Sequence, residues 1–325
     1  MTNNNAAPAH IPVMTTQMLG ALQPKPHGLY IDATLGGGGH SRAILQSHDC
    51  RVIAFDRDPA VTPHADSLAS DFGPRFQFVR ARFSQMENEL RKINPDPVDG
   101  ITLDLGLSSI QLDDHSRGFS FQHNAPLDMS MDGAQSPQGA ESVADLLAAI
   151  DHKSLAEILA LEGEEPHAQR IARAIVNSAA PVRTTSELSR IAENATNAKG
   201  PKLRKQLARI FQALRRHIND EAAELEAALL TAARILAQDG RCVIISFHSL
   251  EDRVVKHAFA AKKIGAVNEA VESNEVAAPF APTQSLARPS AQECARNPRA
   301  RSARLRAARR TAAPRPKNIW WKSAA

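Results

Sequence analysis

Cysteine is scarce in this chain of 325 residues. Cys50, Cys242 and Cys294 lie far apart, so they make neither a disulfide framework nor a metal-ligand pair. A reducing compartment and no metal are the expectation. Aromatics are also few, at 4% with one Tyr and two Trp, so the 43% hydrophobic content must build its core from aliphatic side chains. No apolar run approaches the roughly 18 residues that a membrane helix needs. The polar start, Met1–His10, carries no signal-peptide pattern. A cytoplasmic protein with no membrane partner is therefore expected. Acids are missing from two stretches. Ala295–Ala325 holds ten Lys and Arg and no Asp or Glu; setting those ten aside leaves 29 basic against 35 acidic residues in the rest of the chain. Lys199–Arg216 (Lys199, Lys202, Arg204, Lys205, Arg209, Arg215, Arg216) is likewise free of acids. Positive charge concentrated on an otherwise acidic chain suits a polyanion, nucleic acid above all. The plainer reading is a solubilising tail.

What is present is organised around Leu29–His40, LYIDATLGGGGH, and Arg51–Asp58, RVIAFDRD. Leu29–Leu35 is too short for a helix and apolar enough for a buried strand. It breaks into Gly36–Gly39, and His40 opens a helix. Strand, glycine turn and helix form the nucleotide-binding corner of a doubly wound α/β domain, where glycine allows a tight turn and close ligand approach. The next strand, Val52–Phe55, ends at Asp56, 20 positions after Gly36, where a carboxylate can bond ribose hydroxyls. A dinucleotide fits poorly. Ser41 stands where the last glycine of G-x-G-x-x-G belongs, and Asp32 would face the pyrophosphate. Acids at Asp32, Asp56, Asp58 and Asp104 suit a cationic ligand that carries a ribose, and S-adenosylmethionine is both. A glycine-rich turn in some other α/β protein is the alternative.

Along the chain, the pattern predicts a helix over Thr15–Leu22, strands at Phe76–Val79 and Gly100–Leu105, and helices from Pro59 and around Met86–Ile93. This βα alternation predicts a parallel sheet with its ligand beyond the strand C-termini. Gly106–Asp132 is too long and too polar for an ordinary βα loop, which marks function. Capping-box spacings at Ser142/Asp145, Ser154/Glu157 and Thr184/Glu187 then start three helices. A helix with Leu225, Leu229, Ala232 and Leu236 on one face should end at Gly240, before a buried strand Cys242–Ser246. Ile264–Glu293 reads as loop. The expected division is a core over 1–132, a helical insertion over 133–215, a second core part over 216–262, and a flexible loop with a basic tail over 263–325.

With these pieces in place the chain resembles the bacterial small-subunit ribosomal RNA cytosine-N4 methyltransferases. The matches are HIPV at His10–Val13, DATLGGGGHS at Asp32–Ser41, FDRDP at Phe55–Pro59, LDLGLSSIQLDD at Leu103–Asp114 and RGFSF at Arg117–Phe121. They continue in PLDMSMD at Pro126–Asp132, FQALR at Phe211–Arg215, ISFHSLEDR at Ile245–Arg253 and NPRARSARLR at Asn297–Arg306. The resemblance implies an S-adenosylmethionine-dependent methyltransferase core interrupted by an all-helical domain. It implies methylation of the exocyclic N4 amine of a cytosine, in naked small-subunit RNA or in the assembled subunit. It also implies a pocket in which Gly38, Gly39 and His40 line the methionine end. Asp56 would hold the ribose, Phe83 would lie near the adenine, and Asp104 and Gln111 would complete the pocket. The chain departs from the family at Ile110, Asn124-Ala125 and Ser130, and keeps only Arg209 of the usual motif over Lys205–Ile210. All of these fall on the substrate side.

Such a transfer is a displacement at the sulfonium carbon. An acceptor that bonds the amine can orient it and stabilise the charge that develops. Asp104, Asp113 or Asp114, and His248 are the candidates. The base must leave its stack to react, and Trp320 and Trp321 would offer stacking surfaces. The alternatives are a methyltransferase of another RNA site or of a protein, and a non-catalytic RNA-binding assembly factor.

Overall fold

A computed structural model describes residues 12–133, 141–260 and 278–321. The expectations for His10 and Ile11, for residues 264–277 of the Ile264–Glu293 loop and for Lys322 fall outside those residues; the rest of that stretch is not all loop, since Phe280–Ala287 is a strand and Ala291 begins a short helix. The described chain forms two compact units, one drawn from the described residues of 12–57, 61–106, 223–260 and 278–321, the other from those of 58–60, 107–133 and 141–222.

The first unit is built on a seven-stranded sheet. Its strands are β1 (Leu29–Asp32), β2 (Arg51–Asp56), β3 (Phe76–Arg80), β4 (Val98–Asp104), β5 (Leu236–Ser246), β6 (Phe280–Ala287) and β7 (Arg304–Arg310). The order is β3-β2-β1-β4-β5-β7-β6. The first five strands run parallel and β7 antiparallel to both its neighbours. This is the doubly wound, mostly parallel sheet that the sequence predicts. Helices Gly39–Ser47, Thr62–Phe72 and Phe83–Ile93 connect the first four strands. The strand order reverses at β1, between β2 and β4, which opens a crevice beyond the carboxyl ends of β1 and β4. β1 stops at Asp32, short of the expected Leu35. Yet the Ala33 and Leu35 amides still donate to Thr102 and Phe55 carbonyls, both at 2.9 Å, so the turn starts within reach of the sheet.

Further expectations for this unit are corrected. The helix Glu221–Ile235 ends before Leu236, not at Gly240, because Leu236 already pairs with Val98 of β4. Gly240 instead lies within β5, where a Cβ would lie 2.9 Å from the Ala237 carbonyl and 3.2 Å from that of Asp99, so glycine serves a close backbone approach. The C-terminal region is not all loop and tail. Leu305, Ala307 and Ala308 of β7 are buried, and the arginines between them are spent on structure. Arg306 meets Asp252 through Nε at 2.7 Å and Nη2 at 3.1 Å, Arg304 reaches the same carboxylate at 3.1 Å, and Arg309 pairs with Asp239. Burial alone would raise the Asp252 pKa, but these two guanidiniums hold it below the usual range. Arg310 is buried and donates to the carbonyls of Ala233, Thr311 and Ala313.

Trp320 and Trp321 are not stacking surfaces. They are 1% and 6% exposed and belong to the core with Phe259 and Phe280. The Trp320 indole donates to the Ala258 carbonyl at 3.2 Å.

In the second unit, helices Val143–Ala149, His152–Gly163, Ala168–Val176, Thr185–Thr196 and Gly200–Ile218 share a core with the loop that precedes them. Ser142 and Thr184 cap their helices as their spacing predicts. The Ser154 box does not form. Asp151 is the cap, accepting from the Lys153 and Ser154 amides and from the Ser154 hydroxyl, because a carboxylate three residues earlier already satisfies the free amides. The loop is tied to the helices by Leu127 N–H to Arg183 O at 2.9 Å and Met131 N–H to Asn219 Oδ1 at 2.8 Å.

Candidate active site

The carboxyl ends of β1, β2 and β4 gather the acids that the sequence singles out. Asp32 is fully buried and tied at both oxygens, accepting from the Ser41 hydroxyl at 2.7 Å and the Thr34 amide at 3.2 Å. It thereby clamps the two ends of the glycine turn. Asp56 Oδ2 accepts from the Gly36 amide at 2.9 Å, which fixes the end of β2 to the start of that turn. Within the turn, Gly38 has φ +77°, and a Cβ there would come 2.7 Å from Leu68. At Gly39 a Cβ would meet the Pro12 ring at 2.7 Å, so the helix begins against the N-terminal segment.

His40 is buried with Nε2 2.9 Å from the Val13 carbonyl. A carbonyl can only accept, so Nε2 carries a hydrogen. The other ring nitrogen lies 3.9 Å from Asp104 Oδ2.

Asp104 closes the group. Its amide donates to Thr34 Oγ1 at 2.7 Å, but its own Oδ1 is buried and has no hydrogen-bond partner among the described residues. Burial pushes this carboxyl up to about 7, with His40 acting against the shift and Asp32 and Glu251 adding to it. Burial likewise pushes Asp32 up to about 6, although its bonds to Ser41 and Thr34 oppose the rise. A buried acceptor without a partner is a place for a donor to bind. Phe83 is partly buried and packs against the core at the start of its helix.

Among the acceptor candidates, His248 follows β5. Its Nδ1 accepts the Glu251 amide at 3.3 Å, so the neutral ring carries its hydrogen on Nε2, which lies 3.0 Å from a Glu251 carboxylate oxygen. That contact is too bent for a hydrogen bond. Glu251 also accepts the Phe247 amide at 2.9 Å. Sequence reasoning passed over Thr34, Ser41 and Glu251. Thr34 and Ser41 stand inside the quoted DATLGGGGHS stretch and Glu251 inside ISFHSLEDR, which is the signal that could have found them.

Gln111, Asp114 and Asp58 belong to the other unit. Gln111 is buried, accepts the Ser108 amide at 2.9 Å and donates to Asp58 at 2.8 Å. Asp58 also meets Arg117 at 2.5 Å, so this acid already has a cation, contrary to its expected place in a set that awaits one. Asp114 is exposed and caps a 3-10 turn, accepting the Ser116 amide at 3.1 Å.

Residues 7–311 match the model of the MraW methylase family. The chain is 43% identical over 316 residues to "Ribosomal RNA small subunit methyltransferase H" of Parvibaculum lavamentivorans, covering 95% of this chain and 92% of that one. It is 45% identical over 319 residues to the protein of the same name from Caulobacter vibrioides, covering 95% and 98%. A third, from Maricaulis maris, is 44% identical over 314 residues, with 94% and 92% covered.

Proposed function

The chain belongs to the MraW methylase family, and on that premise we propose that it methylates the exocyclic N4 amine of a cytosine in small-subunit ribosomal RNA, using S-adenosylmethionine. The observation that carries the reading is the buried Asp104 oxygen left without a partner at the carboxyl end of β4. The cofactor brings an electrophilic methyl carbon on a sulfonium, together with an ammonium and a ribose. Gly38, Gly39 and His40 line its methionine end, Asp104 accepts from its ammonium, Asp56 holds the ribose and Phe83 lies along the adenine. Each acid or ring here binds and orients; the negative cluster of Asp32, Asp104 and Glu251 favours a cation over a phosphate.

For the amine, the Asp104 oxygen not given to the ammonium is favoured over Asp114 and His248 as the acceptor. Asp114 is committed to its turn, and His248 presents a hydrogen at Nε2 rather than a lone pair. The proposed substrate places the protein in the cytoplasm. No described helix is long and apolar enough to cross a membrane.

Asp56→Ala is expected to weaken cofactor binding by about 10- to 150-fold, the span of one lost charge-assisted hydrogen bond of about 1.5–3 kcal/mol. Calorimetric titration with S-adenosylmethionine checks this, and an unchanged dissociation constant would remove Asp56 from the pocket.

RNA contact is proposed for the helix Gly200–Ile218. Lys199, Arg209 and Arg215 are paired with Glu193, Glu165 and Glu221. Lys202, Arg204 and Lys205 are exposed and have no acidic partner among the described residues. Replacing these three with Gln should shallow the slope of log affinity against log salt by roughly two to three units. A parental slope would mean that they face water only.

The reading is tested by labelled methyl transfer from S-adenosylmethionine to purified small-subunit RNA and to purified subunits in one assay. Label on cytosine N4 is the expected result; label on another position or on protein, or no transfer to either, would overturn it.

A further inference from the structure

RNA-modifying proteins hold unpaired bases on flat side chains, and aromatic or imidazole rings serve best. Here no Phe, Tyr or Trp among the described residues is exposed. Both tryptophans are core, and the phenylalanines are buried or half-buried. Among the described residues, the exposed rings are therefore imidazoles. The loop between β4 and the helical unit supplies a pair of them. His115 and His123, both exposed, lie face to face with ring centroids 3.7 Å apart and planes 16° from parallel. Among the described residues this is the stacked ring pair; the other ring contacts are edge-on or tilted.

We propose that the His115–His123 pair is a stacking platform for an unpaired base of the substrate RNA. This rests on the reading of the chain as an RNA methyltransferase. The rings are exposed, but the backbone beneath them is fixed. His115 opens the 3-10 turn capped by Asp114. Two residues on, Arg117 is clamped by Asp58 at 2.5 Å and by the Ser130 carbonyl at 2.8 Å. The His123 carbonyl accepts the hydroxyl of Thr185, a fully buried residue, at 2.6 Å, and that hydroxyl in turn accepts the Ala125 amide at 3.0 Å. Between the two histidines, Gly118 at φ +70° lets the two arms of the loop touch, since a Cβ there would lie 2.2 Å from the Pro126 carbonyl. Neither imidazole makes a hydrogen bond or an ion pair among the described residues, so the stack serves no visible anchoring role. An exposed, preorganised ring pair loses little conformational freedom when a base docks. It contacts a π-face, so it should favour unpaired over paired RNA with little preference for base identity.

The test is steady-state methyl transfer to purified small-subunit substrate by the full chain. The double variant His115→Ala, His123→Ala should raise KM for the RNA substrate about 5- to 100-fold, leaving kcat, cofactor affinity and the thermal midpoint near parental. His115→Phe with His123→Phe should return KM to within about twofold of the parent, whereas Lys at both positions should not. Parental KM in the alanine variant would overturn the proposal, as would rescue by Lys but not by Phe, which would assign the effect to charge. If the parent itself transfers no methyl to small-subunit RNA, the RNA methyltransferase reading fails first and the platform with it; an active parent with an unaffected alanine variant fails the platform alone.

Discussion

Removing Arg309–Ala325 is expected to yield an unfolded or insoluble chain, not a folded enzyme with weakened RNA affinity. As a charge run, this segment resembles a dispensable tail. In the fold it carries the end of β7, the buried Arg310 and both core tryptophans. Trp320 contacts Phe280 at 5.7 Å between centroids and Trp321 at 4.5 Å. Deleting one buried Trp side chain costs about 3–5 kcal/mol, against a total stability of about 5–15 kcal/mol for most domains. Loss of two, about 6–10 kcal/mol, together with the Arg310 bond to the Ala233 carbonyl, is comparable with that whole margin. Trp320→Ala alone should lower the thermal midpoint by many degrees. Soluble expression, circular dichroism and thermal unfolding of the truncated chain check this. A folded truncated protein with parental cofactor affinity would show that the C-terminal residues are not part of the core.

Asp104→Asn is expected to act in opposite directions on stability and binding. The folded carboxyl titrates near 7, above its ordinary value of 3.8. A raised carboxyl pKa means that the folded state binds the proton more tightly than the unfolded one. The contribution to stability therefore falls as pH rises from about 4 to about 7, and the penalty is complete above that. Asparagine removes the charge and with it the penalty, so the ligand-free variant should melt a few degrees higher than the parent at pH 8 and little differently at pH 5. Its affinity for S-adenosylmethionine should fall by about 10- to 150-fold at pH 8, from the loss of a charged acceptor. Parental affinity should climb with pH and level off above about 7, while the variant's profile should be flat across that window. A variant that binds as the parent does, with no change in melting at pH 8, would contradict the place given to Asp104.

The first four strands and the glycine turn were legible because each is a local pattern: an apolar run and a break, with an acid closing β1, β2 and β4. The helix Thr15–Leu22 was legible down to its end residues, since Pro24 and Pro26 close it. What could not be read depends on distant partners. β7 looks like a basic tail because nothing near it in sequence names Asp252, 52 and 54 residues away from Arg304 and Arg306. Trp320 and Trp321 read as exposed rings for the same reason, as their apolar surroundings are Phe259, Phe280 and Ala258. The helix expected to reach Gly240 gave way to strand pairing by Leu236, a tertiary contact that no helical periodicity records. In the candidate site the acids were visible, but their division of labour was not. Asp32 and Asp58 carry internal bonds, while Asp104 keeps an oxygen open. Only burial and hydrogen-bond accounting separates them. The stacked histidines, eight positions apart in a loop, carry no sequence signal at all.

The most direct test of the central claim is nucleoside mass mapping of small-subunit ribosomal RNA from a strain lacking this chain, with the parent gene restored in parallel. The account predicts that one N4-methylcytosine disappears on deletion, returns with the parent chain and stays absent with Asp104→Asn. An N4-methylcytosine content unchanged by deletion, with a different nucleoside lost or none, would contradict it.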